Sequence, residues 1–466
     1  MASSPVPVEA LSPPELLLQY DINICAPMVR YSKRAFRATC AEYDVQWTTT
    51  PMIVAKEFSR SKIAREAEFS TSAQERGLFV PLADQGHGAG LGMQETSASY
   101  SRRRALVGKN SQWTAPWRNG RSLSADGQDD FYDQARHLRP RRFVRGVLVG
   151  QLAASDSLTL ADGCEVLANH VDGLELNCGC PTSSAWSDHI GAYLLRKPEL
   201  VADMVRTAKD RLGWSYPVCV KIRLDPELKR TETLIRNAIE AGASVLTIHG
   251  RTRNQSSASH PVDLEGIAFA IDVAKRCGSR TACASANTAY ATHATASQES
   301  PRSDAAEVVS GLHDGGGGAG GPMPCVANGD VFTLTEAWQW RQRTQAQGVM
   351  SARGLLANPV CIKIGGKTLC KRISLMTRSS SPPLSAPRLQ ALFAGYDQTP
   401  TSAIQHFCRQ ALRGGGLPFQ HFHRHIAYML ESTMQKSDSI LFNSLSSTAS
   451  VMDWLDQDSG LPDWKG

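Results

Sequence analysis

The chain has 466 residues, of which 42% are hydrophobic and 20% charged, and its formal net charge is +6. This length and composition allow one large hydrophobic core with an appended domain. The first twenty residues lack a basic segment followed by a long apolar one, and no stretch approaches the roughly 18 apolar residues of a membrane helix, so we predict neither secretion nor a membrane span. The charge permits a nucleic-acid partner but is too small to indicate one.

Short apolar or β-branched runs recur along the chain, and most are followed by a helical pattern. The eight candidate strands cover residues 23–29, 47–53, 147–153, 173–178, 217–224, 244–250, 324–330 and 348–354. The clearest helical patterns are the one that Pro198 begins and Gly213 ends, and the one over 232–242. Eight repeats of strand then helix predict an α/β protein with a (β/α)8 TIM-barrel fold.

Three segments interrupt this alternation, and we interpret them as long low-complexity insertions without folded structure. They span about 84–145, about 278–322, and 361–390 as an insertion or linker. The chain then divides into an N-terminal extension (1–20), the barrel domain (21–360) and a small C-terminal helical region (391–466), in which residues 414–418 separate two helices.

Twelve cysteines are scattered along the chain without the C-x-x-C pairs of a zinc ribbon, and we expect reduced thiols. Cys178 and Cys180 flank a glycine at the end of the fourth candidate strand. A disulfide between them would close a small, strained ring. A metal site there would need two further ligands that the neighbouring sequence does not offer, so no metal is predicted. A pair of small buried side chains is the ordinary alternative to a reactive thiol.

Chemistry in a barrel of this kind gathers at the C-terminal ends of the strands. The unusual polar residues fall at those ends. They are Gln151, Asn177, Cys180, Lys221, Arg223, His249, Asn328, Asp330 and Arg353. We therefore predict one active centre at this end of the barrel.

An ordered series of motifs resembles the flavin-dependent tRNA-dihydrouridine synthases. The motifs are APM (26–28), NCGCP (177–181), GAYLL (191–195), VKIR (220–223), HGRT (249–252), ANGD (327–330) and ARGLLANP (352–359). With MVRYSKRAFR (28–37) and TPMIVAKEF (50–58), they look most similar to the eukaryotic branch that modifies uridines 20a and 20b. The resemblance covers about two thirds of the chain, in order.

The resemblance implies a reaction. In the family, NADPH reduces bound FMN, hydride passes to C6 of a uracil flipped out of the tRNA, and the cysteine of a G-C-P motif protonates C5. Cys180 matches that cysteine, and Cys178 is expected to pack in the core. A thiol suits this role because its ordinary pKa of about 8.5 leaves it protonated at neutral pH yet able to give up the proton.

The resemblance also implies roles for the residues around the thiol. The cofactor set is Pro27, Met28, Val29, Gln151, Lys221, His249, Asn328, Gly329, Asp330, Ala352 and Arg353, and the substrate set is Asn177, Arg223 and Arg251. Lys221 would stabilise negative charge on the reduced flavin, and Asn177 would hold the target uracil. The alternatives are a strand-end lysine that reaches solvent at 221 and a satisfied core histidine at 249.

Phosphate contacts to tRNA need only positive side chains on a matching surface. The candidates are Lys33, Arg34, Arg37, Arg251, Arg253, Arg409, Arg413, His421, His423, Arg424 and His425. Singly, each is more often a solvated charge, and a metal site at HFHRH (421–425) is the less favoured interpretation of that motif.

One departure from the family lies between Pro181 and Gly191. Here Asp188, His189 and Ile190 stand where the family has a glycine-containing turn, at the end of a loop that closes over the site. Two other functions remain open: a non-catalytic tRNA-binding protein of the same fold, and an FMN-dependent barrel dehydrogenase acting on a small molecule. No stable protein partner is implied, and the cytoplasm is the default location.

Overall fold

Eight parallel strands close into a barrel in the computed structural model, which describes residues 8–79, 143–278, 323–362, 398–413, 417–457, 459–461 and 464. Barrel strands 1 to 8, in chain order, are Ile22–Cys25, Trp47–Thr49, Val147–Ala153, Gly173–Cys178, Val218–Arg223, Val245–His249, Cys325–Asn328 and Gly348–Ser351. Each pairs in parallel with the next, and strand 8 pairs with strand 1. The predicted (β/α)8 fold is confirmed, and closure leaves the barrel without an unpaired edge.

Helices and short accessory strands surround the barrel. The α-helices are Pro13–Gln19, Arg34–Glu42, Ala55–Arg60, Lys62–Glu68, Ser157–Leu167, Ser183–Ser187, Pro198–Leu212, Leu228–Glu240, 264–278, Leu334–Thr344, Arg353–Ala357, Thr401–Arg413, Phe419–Leu430, Lys436–Ser444 and Thr448–Gln457. The 3₁₀ segments are Ala73–Glu75, Ala168–His170 and Gly191–Arg196, and the accessory strands are Val8–Ala10, Ile53–Val54, Leu78–Phe79 and Phe143–Arg145. None of the helices in these described ranges is long and apolar enough to cross a membrane.

The helix Pro198–Leu212 shows how local sequence sets the element bounds. Pro198 occupies the first turn, where a missing N–H costs no hydrogen bond, and Gly213 ends the helix with φ +93°. Met204 and Val205 are buried against the barrel, as the helical pattern predicts. Burial of this apolar face against the strands stabilises the helix more than its intrinsic propensity does.

The core has two layers because side chains alternate between the two faces of each strand. Ile22, Val147 and Met350 belong to the cluster that fills the barrel interior. Leu176 and Cys178 belong to the layer between the strands and the helices. Cys178 is thus a packed core residue, and burial raises the pKa of its thiol well above the usual range.

The N-terminal segment is part of the barrel rather than an appended extension. Leu16 and Leu17, on the helix Pro13–Gln19, are buried in the cluster that fills the barrel interior. Val8–Ala10 pairs in parallel with Phe143–Arg145. The strand Phe143–Arg145 lies inside the region predicted as the first insertion, about 84–145, and residue 278, where the second was predicted to begin, still belongs to a helix.

The two strands that flank residues 80–142 are held together by a buried charge cluster. Asp172 accepts hydrogen bonds from Arg76 Nε at 2.6 Å and from Arg145 Nη2 at 2.8 Å. Burial alone would raise the pKa of Asp172, but the two guanidinium groups lower it to about 2. The insertion predicted over 84–145 lies largely outside the described residues. Asp172 links Arg76, before this region, to Arg145 at its end.

Replacing residues 80–142 with a four-residue turn is expected to preserve the fold. Phe79 pairs directly with Val144 in antiparallel register, so the two chain ends lie at the distance that a hairpin turn spans. A shorter connection loses less entropy on closure, so the unfolding free energy should stay equal or rise by up to about 2 kcal/mol. Urea denaturation measures it. Deleting 78–145 instead removes Arg145 and Phe79 and should destabilise the protein strongly. An equal loss of unfolding free energy in the two deletion variants would contradict the expectation.

The C-terminal helices share one core with the barrel. Phe407, Phe422 and Ile426 pack in the same apolar cluster as Phe36 and Leu355, which belong to the barrel helices. The two helices predicted on either side of residues 414–418 are confirmed as Thr401–Arg413 and Phe419–Leu430. Two further helices, Lys436–Ser444 and Thr448–Gln457, follow them without having been predicted.

Candidate active site

A cavity of about 410 Å³ opens at the C-terminal ends of barrel strands 5 to 8. It is lined by Pro181, Arg223, His249, Arg251, Arg253, residues 254–257, Asn328, Gly329, Asp330, Val331, Phe332, Ala352, Arg353 and Gly354. The structure thus brings together eight of the predicted site residues, from four consecutive strands. This is the end of a parallel barrel at which active sites are found.

The cavity lining is strongly cationic, with four arginines, at 223, 251, 253 and 353, and one carboxylate, Asp330. Asp330 accepts hydrogen bonds from both Arg251 Nη2 and Arg353 Nη2. Arg251 is buried, whereas Arg353 is about half exposed. Two guanidinium groups oriented by one carboxylate suit a bound phosphate, because arginine presents several donors in a fixed geometry.

His249 contributes a ring nitrogen without a protein partner. Its Nε2 is buried and makes no hydrogen bond within the part of the chain that the structure describes. Burial, and then the positive charges of Lys221, Arg223, Arg251 and Arg353, lower the pKa of His249 to about 2. The imidazole is therefore neutral at physiological pH and has one nitrogen available to a ligand in the cavity.

Gly329 allows the backbone to pass close to His249. Its φ of +129° is a backbone conformation that residues other than glycine rarely adopt. A Cβ at this position would lie 2.7 Å from Val262 Cγ2 and 3.3 Å from His249 Cδ2. The wall of the cavity at strand 7 therefore requires glycine.

A second group of polar side chains lies between strands 3 and 6. Gln151 Nε2 donates to Glu175 Oε1 at 2.7 Å, and Asn177 Nδ2 donates to Gln151 Oε1 at 2.8 Å. Thr247 Oγ1 donates to the other oxygen of Glu175 at 3.2 Å. Sequence reasoning missed Glu175, although a lone carboxylate two residues before Asn177 in an apolar strand was a usable signal.

Lys221 is buried beside this group, with only 9% of its surface exposed, so the interpretation as a solvent-reaching lysine is wrong. Its Cα lies opposite that of Asn177 in the strand register. Burial lowers the pKa of Lys221 to about 8, and the nearby Glu175 opposes that shift. At neutral pH the side chain is therefore mostly an ammonium ion.

Cys180 follows strand 4 at the mouth of the barrel. Of the ten cysteines in the described ranges it alone is not buried. Its Sγ lies 3.4 Å from Thr182 Oγ1, and its carbonyl accepts from the Ala192 amide at 2.9 Å. The backbone N–H groups of Gly179 and Cys180 both donate to Asn177 Oδ1 at 2.9 Å. The thiol is thus accessible while the backbone that carries it is held by hydrogen bonds.

The loop between Cys180 and Gly191 contains the short helix Ser183–Ser187. The guanidinium of Arg253 lies 3.6 Å above the Trp186 ring. The Tyr193 ring packs against the Trp186 ring in a T-shaped, edge-to-face arrangement. His189 adopts φ +58° in place of the glycine-containing turn. Arg253, predicted to contact tRNA phosphate, instead stacks on this loop. The stacking contact joins the loop that carries Cys180 to the loop after strand 6.

Replacing Trp186 with alanine is expected to expose Cys180. A cation–π contact of this kind contributes about 0.5–2 kcal/mol, so losing it should raise the alkylation rate of Cys180 by about twofold to thirtyfold. Iodoacetamide labelling followed by peptide mass spectrometry reports the rate at this cysteine. Trp214→Ala, which removes an exposed ring bonded to Asp210, is the matched control. An unchanged Cys180 rate in Trp186→Ala would show that the stack does not hold the loop.

The remaining predicted cofactor residues lie outside the cavity lining. Pro27 and Met28 are half-buried and Val29 is exposed, all directly after strand 1. Gln151 and Lys221 belong to the buried group described above. The predicted cofactor set therefore forms two clusters, a cationic one at strands 6 to 8 and a polar one at strands 3 to 5, with the strand 1 segment apart.

Two of the predicted tRNA contacts are wrong. Arg37 is buried, and its Nε donates to Glu75 at 2.7 Å. His425 is fully buried against Phe36, and burial lowers its pKa to about 3. Neither side chain can reach a phosphate, because Arg37 is enclosed by Glu75 and the Ser70 carbonyl, and His425 is enclosed by Phe36 and Phe407.

The other predicted contacts remain accessible to different degrees. Arg409, Arg413 and Arg424 are exposed, Arg34 and His421 are half-buried, Lys33 pairs with Glu68, and His423 Nε2 bonds to the Phe442 carbonyl. Arg30, an exposed residue with φ +72°, was not predicted. Burial, followed by the charges of Lys33 and Arg30, lowers the pKa of His421. Arg30, Lys33 and His421 therefore lie near one another between the strand 1 loop and the helix Phe419–Leu430.

Across the described ranges there is no group of three or more His, Cys, Asp or Glu side chains that could hold a metal ion.

Comparison with known proteins places these residues in a family. Residues 24–87, 128–272 and 320–383 match the family model described as dihydrouridine synthase. The chain is 30% identical over 435 residues to an NAD(P)+ tRNA-dihydrouridine(20a/20b) synthase-like protein of Mus musculus, covering 93% of this chain and 88% of that protein. A Homo sapiens protein of the same name is 27% identical, covering 94% and 92%. An NAD(P)+ tRNA-dihydrouridine(20a/20b) synthase of Saccharomyces cerevisiae is 26% identical, covering 94% and 79%.

Proposed function

This chain belongs to the dihydrouridine synthase family, and we propose that it is an NAD(P)H-dependent oxidoreductase that reduces uridine in tRNA to 5,6-dihydrouridine. The observation that carries the proposal is the accessible Cys180 at the mouth of the barrel, beside a buried lysine and a cationic cavity. The names of the relatives favour positions 20a and 20b of the D loop as the sites of reduction.

The residues present fit FMN as the cofactor. Arg251 and Arg353, oriented by Asp330, would hold the phosphate, and His249 Nε2 offers a hydrogen-bonding group in the same cavity. Gln151 and Lys221 would bind the polar edge of the ring system. When bound, FMN would supply the chemistry of hydride transfer from NADPH to C6 of the uracil.

Cys180 would then donate the proton to C5 of the uracil, so that one hydride and one proton complete the reduction. Within the described residues the hydrogen-bond partner of its half-buried thiol is the Thr182 hydroxyl, and the thiol would be accessible to a base entering from the mouth. Lys221 and Arg223 lie close enough to Cys180 to interact with it electrostatically. Asn177 would hold the base opposite the thiol, as the family resemblance implies.

The cations around the mouth support tRNA as the substrate. Arg30 is exposed beside the strand 1 loop, Lys33 lies near it and pairs with Glu68, and Arg424 is exposed on the C-terminal helix Phe419–Leu430. Phosphate contacts from such a surface position a nucleic acid without reading its sequence. Binding should therefore weaken as salt concentration rises.

The proposal is tested with tRNA that lacks dihydrouridine, incubated with the protein, FMN and NADPH, then digested and weighed by mass spectrometry. A D-loop fragment heavier by two hydrogen atoms, absent when NADPH is omitted, is the expected result. Fragment sequencing then assigns the gain to 20a, 20b or another position. Bound tRNA without stoichiometric flavin would instead indicate a non-catalytic tRNA-binding protein. NADPH oxidation indifferent to tRNA would indicate a small-molecule dehydrogenase.

A further inference from the structure

We propose that Glu175 is a positioning residue that orients two side-chain amides and, through them, holds the backbone that carries Cys180. The proposal deepens the proposed function, because it takes Cys180 as the proton donor. The geometry of the chain of hydrogen bonds stands independently of that role.

The donor and acceptor order of this hydrogen-bond chain is set at the end nearest Cys180. Asn177 Oδ1 accepts from the N–H groups of Gly179 and Cys180, each at 2.9 Å. A backbone N–H can only donate, so the amide atom that faces these two groups must be oxygen. The Nδ2 group of Asn177 must therefore point the other way, towards Gln151.

The same argument passes through Gln151. Asn177 Nδ2 donates to Gln151 Oε1 at 2.8 Å, which leaves Gln151 Nε2 as a donor that needs an acceptor. Glu175 Oε1 accepts this hydrogen bond at 2.7 Å. An ionised carboxylate only accepts, so it cannot satisfy a reversed Gln151 and admits one orientation of the whole chain.

Burial of these side chains raises the free-energy cost of a flipped amide. Gln151 and Glu175 are each 1% exposed and Asn177 is 7% exposed, so water cannot readily replace a missing partner. The second oxygen of Glu175 is satisfied by Thr247 Oγ1 at 3.2 Å. In such surroundings an unpaired donor costs about 1–3 kcal/mol, which disfavours any flipped amide.

The barrel strands supply the rigidity that a positioning device needs. The register of strands 3 and 4 places Gln151 directly opposite Glu175, and that of strands 5 and 6 places Thr247 opposite Lys221. Side chains on paired strands are held more accurately than side chains on loops. The part of the hydrogen-bond chain that does not lie on a strand is then the turn that follows strand 4.

A simpler role for Glu175 is as a counter-ion of Lys221. Burial raises the pKa of Glu175 and the charge of Lys221 opposes that rise, so the two groups interact. Two substitutions separate the roles. Glu175→Gln removes the charge but keeps an acceptor for Gln151 and a donor for Thr247, whereas Glu175→Leu removes both the charge and the acceptor.

Hydrogen exchange of the Gly179 and Cys180 amides reports the chain directly, in the purified full-length protein and without any reaction. In Glu175→Leu we expect these amides to exchange at least about tenfold faster than in the wild type, and in Glu175→Gln within about threefold, because local opening sets the rate. Dihydrouridine formation should fall at least about tenfold in Glu175→Leu and largely recover in Glu175→Gln.

Equal exchange rates in the two variants would assign Glu175 to the counter-ion role and overturn the proposal. A wild-type protein that forms no dihydrouridine, with the exchange difference intact, would overturn the proposed function and leave the positioning role standing. Should Glu175→Leu fail to fold, Gln151→Met interrupts the chain at its centre. The same acceleration of the two amides is then expected, and its absence would refute the proposal.

Discussion

Cys180→Ala is expected to lower the rate of dihydrouridine formation by about 100- to 10,000-fold, which is the range that a general acid contributes. The thiol is accessible at the mouth of the barrel and is the proton donor that we propose, and alanine retains neither the proton nor the hydrogen bond to Thr182. Binding of FMN and of tRNA should change little, because the cavity arginines and the mouth cations are untouched. Mass spectrometry of D-loop fragments in single-turnover reactions measures the rate.

Cys178→Ala is the matched control for this variant. The two cysteines are separated by one glycine, but Cys178 is fully buried between strand 4 and the helices. Its removal should cost about 1 kcal/mol of stability, as core truncations of this size do, and leave the reaction rate near that of the wild type. A Cys180→Ala enzyme that keeps the wild-type rate would remove this cysteine from the role of acid.

Lys221→Met is expected to weaken FMN binding and slow its reduction by NADPH, each by about 10- to 100-fold. Methionine keeps the volume of the buried stem but removes the ammonium group that would neutralise the anionic edge of the reduced ring. Titration of FMN fluorescence measures the affinity, and anaerobic stopped-flow absorbance measures the reduction rate. Dihydrouridine formation should fall in proportion to the slower of the two steps.

The same lysine predicts a pH dependence. Burial lowers the pKa of Lys221 in the cofactor-free protein to about 8, so the ammonium is lost as pH rises through that value. FMN affinity should therefore weaken above pH 8 in the wild type and lose that dependence in Lys221→Met. Lys209 is the matched control, since burial also lowers its pKa to about 8. It lies at the N-terminal ends of the strands, away from the cavity, where its Nζ donates to the Tyr216 carbonyl and the Ser244 hydroxyl. An inflection that disappears in Lys209→Met instead would contradict the assignment.

The predictability of the barrel follows from the strands themselves. Val147–Ala153 and Gly173–Cys178 have the bounds that the sequence pattern predicted, because each is a short apolar run bounded by polar residues or glycine. Local composition sufficed there, since every central strand of a closed parallel barrel is buried on both faces. Phe143–Arg145 was missed because its pairing partners, at 8–10 and 78–79, are distant in sequence.

Accessibility could not be read from residue type. Arg37 and His425 look like phosphate ligands in the sequence, yet Arg37 is buried against Glu75, and His425 is enclosed where the C-terminal helices pack on the barrel. Arg253 likewise stacks on Trp186, a contact between the loops that follow strands 4 and 6. Such outcomes depend on which elements become neighbours, and no local pattern records that.

The sequence by itself determined the barrel and the end at which its polar residues gather, because strand alternation and strand order are local properties. The distinction between Cys178 and Cys180 came from the family resemblance, in which Cys180 matches the cysteine of the G-C-P motif. Only the tertiary structure decided which charges are paired, which cations face solvent, and that Glu175 is linked through Gln151 and Asn177 to the Cys180 backbone. The reason is physical: a buried polar group is stable only with a partner of matching donor or acceptor character. That partner comes from another strand, and its position is set by the closed sheet.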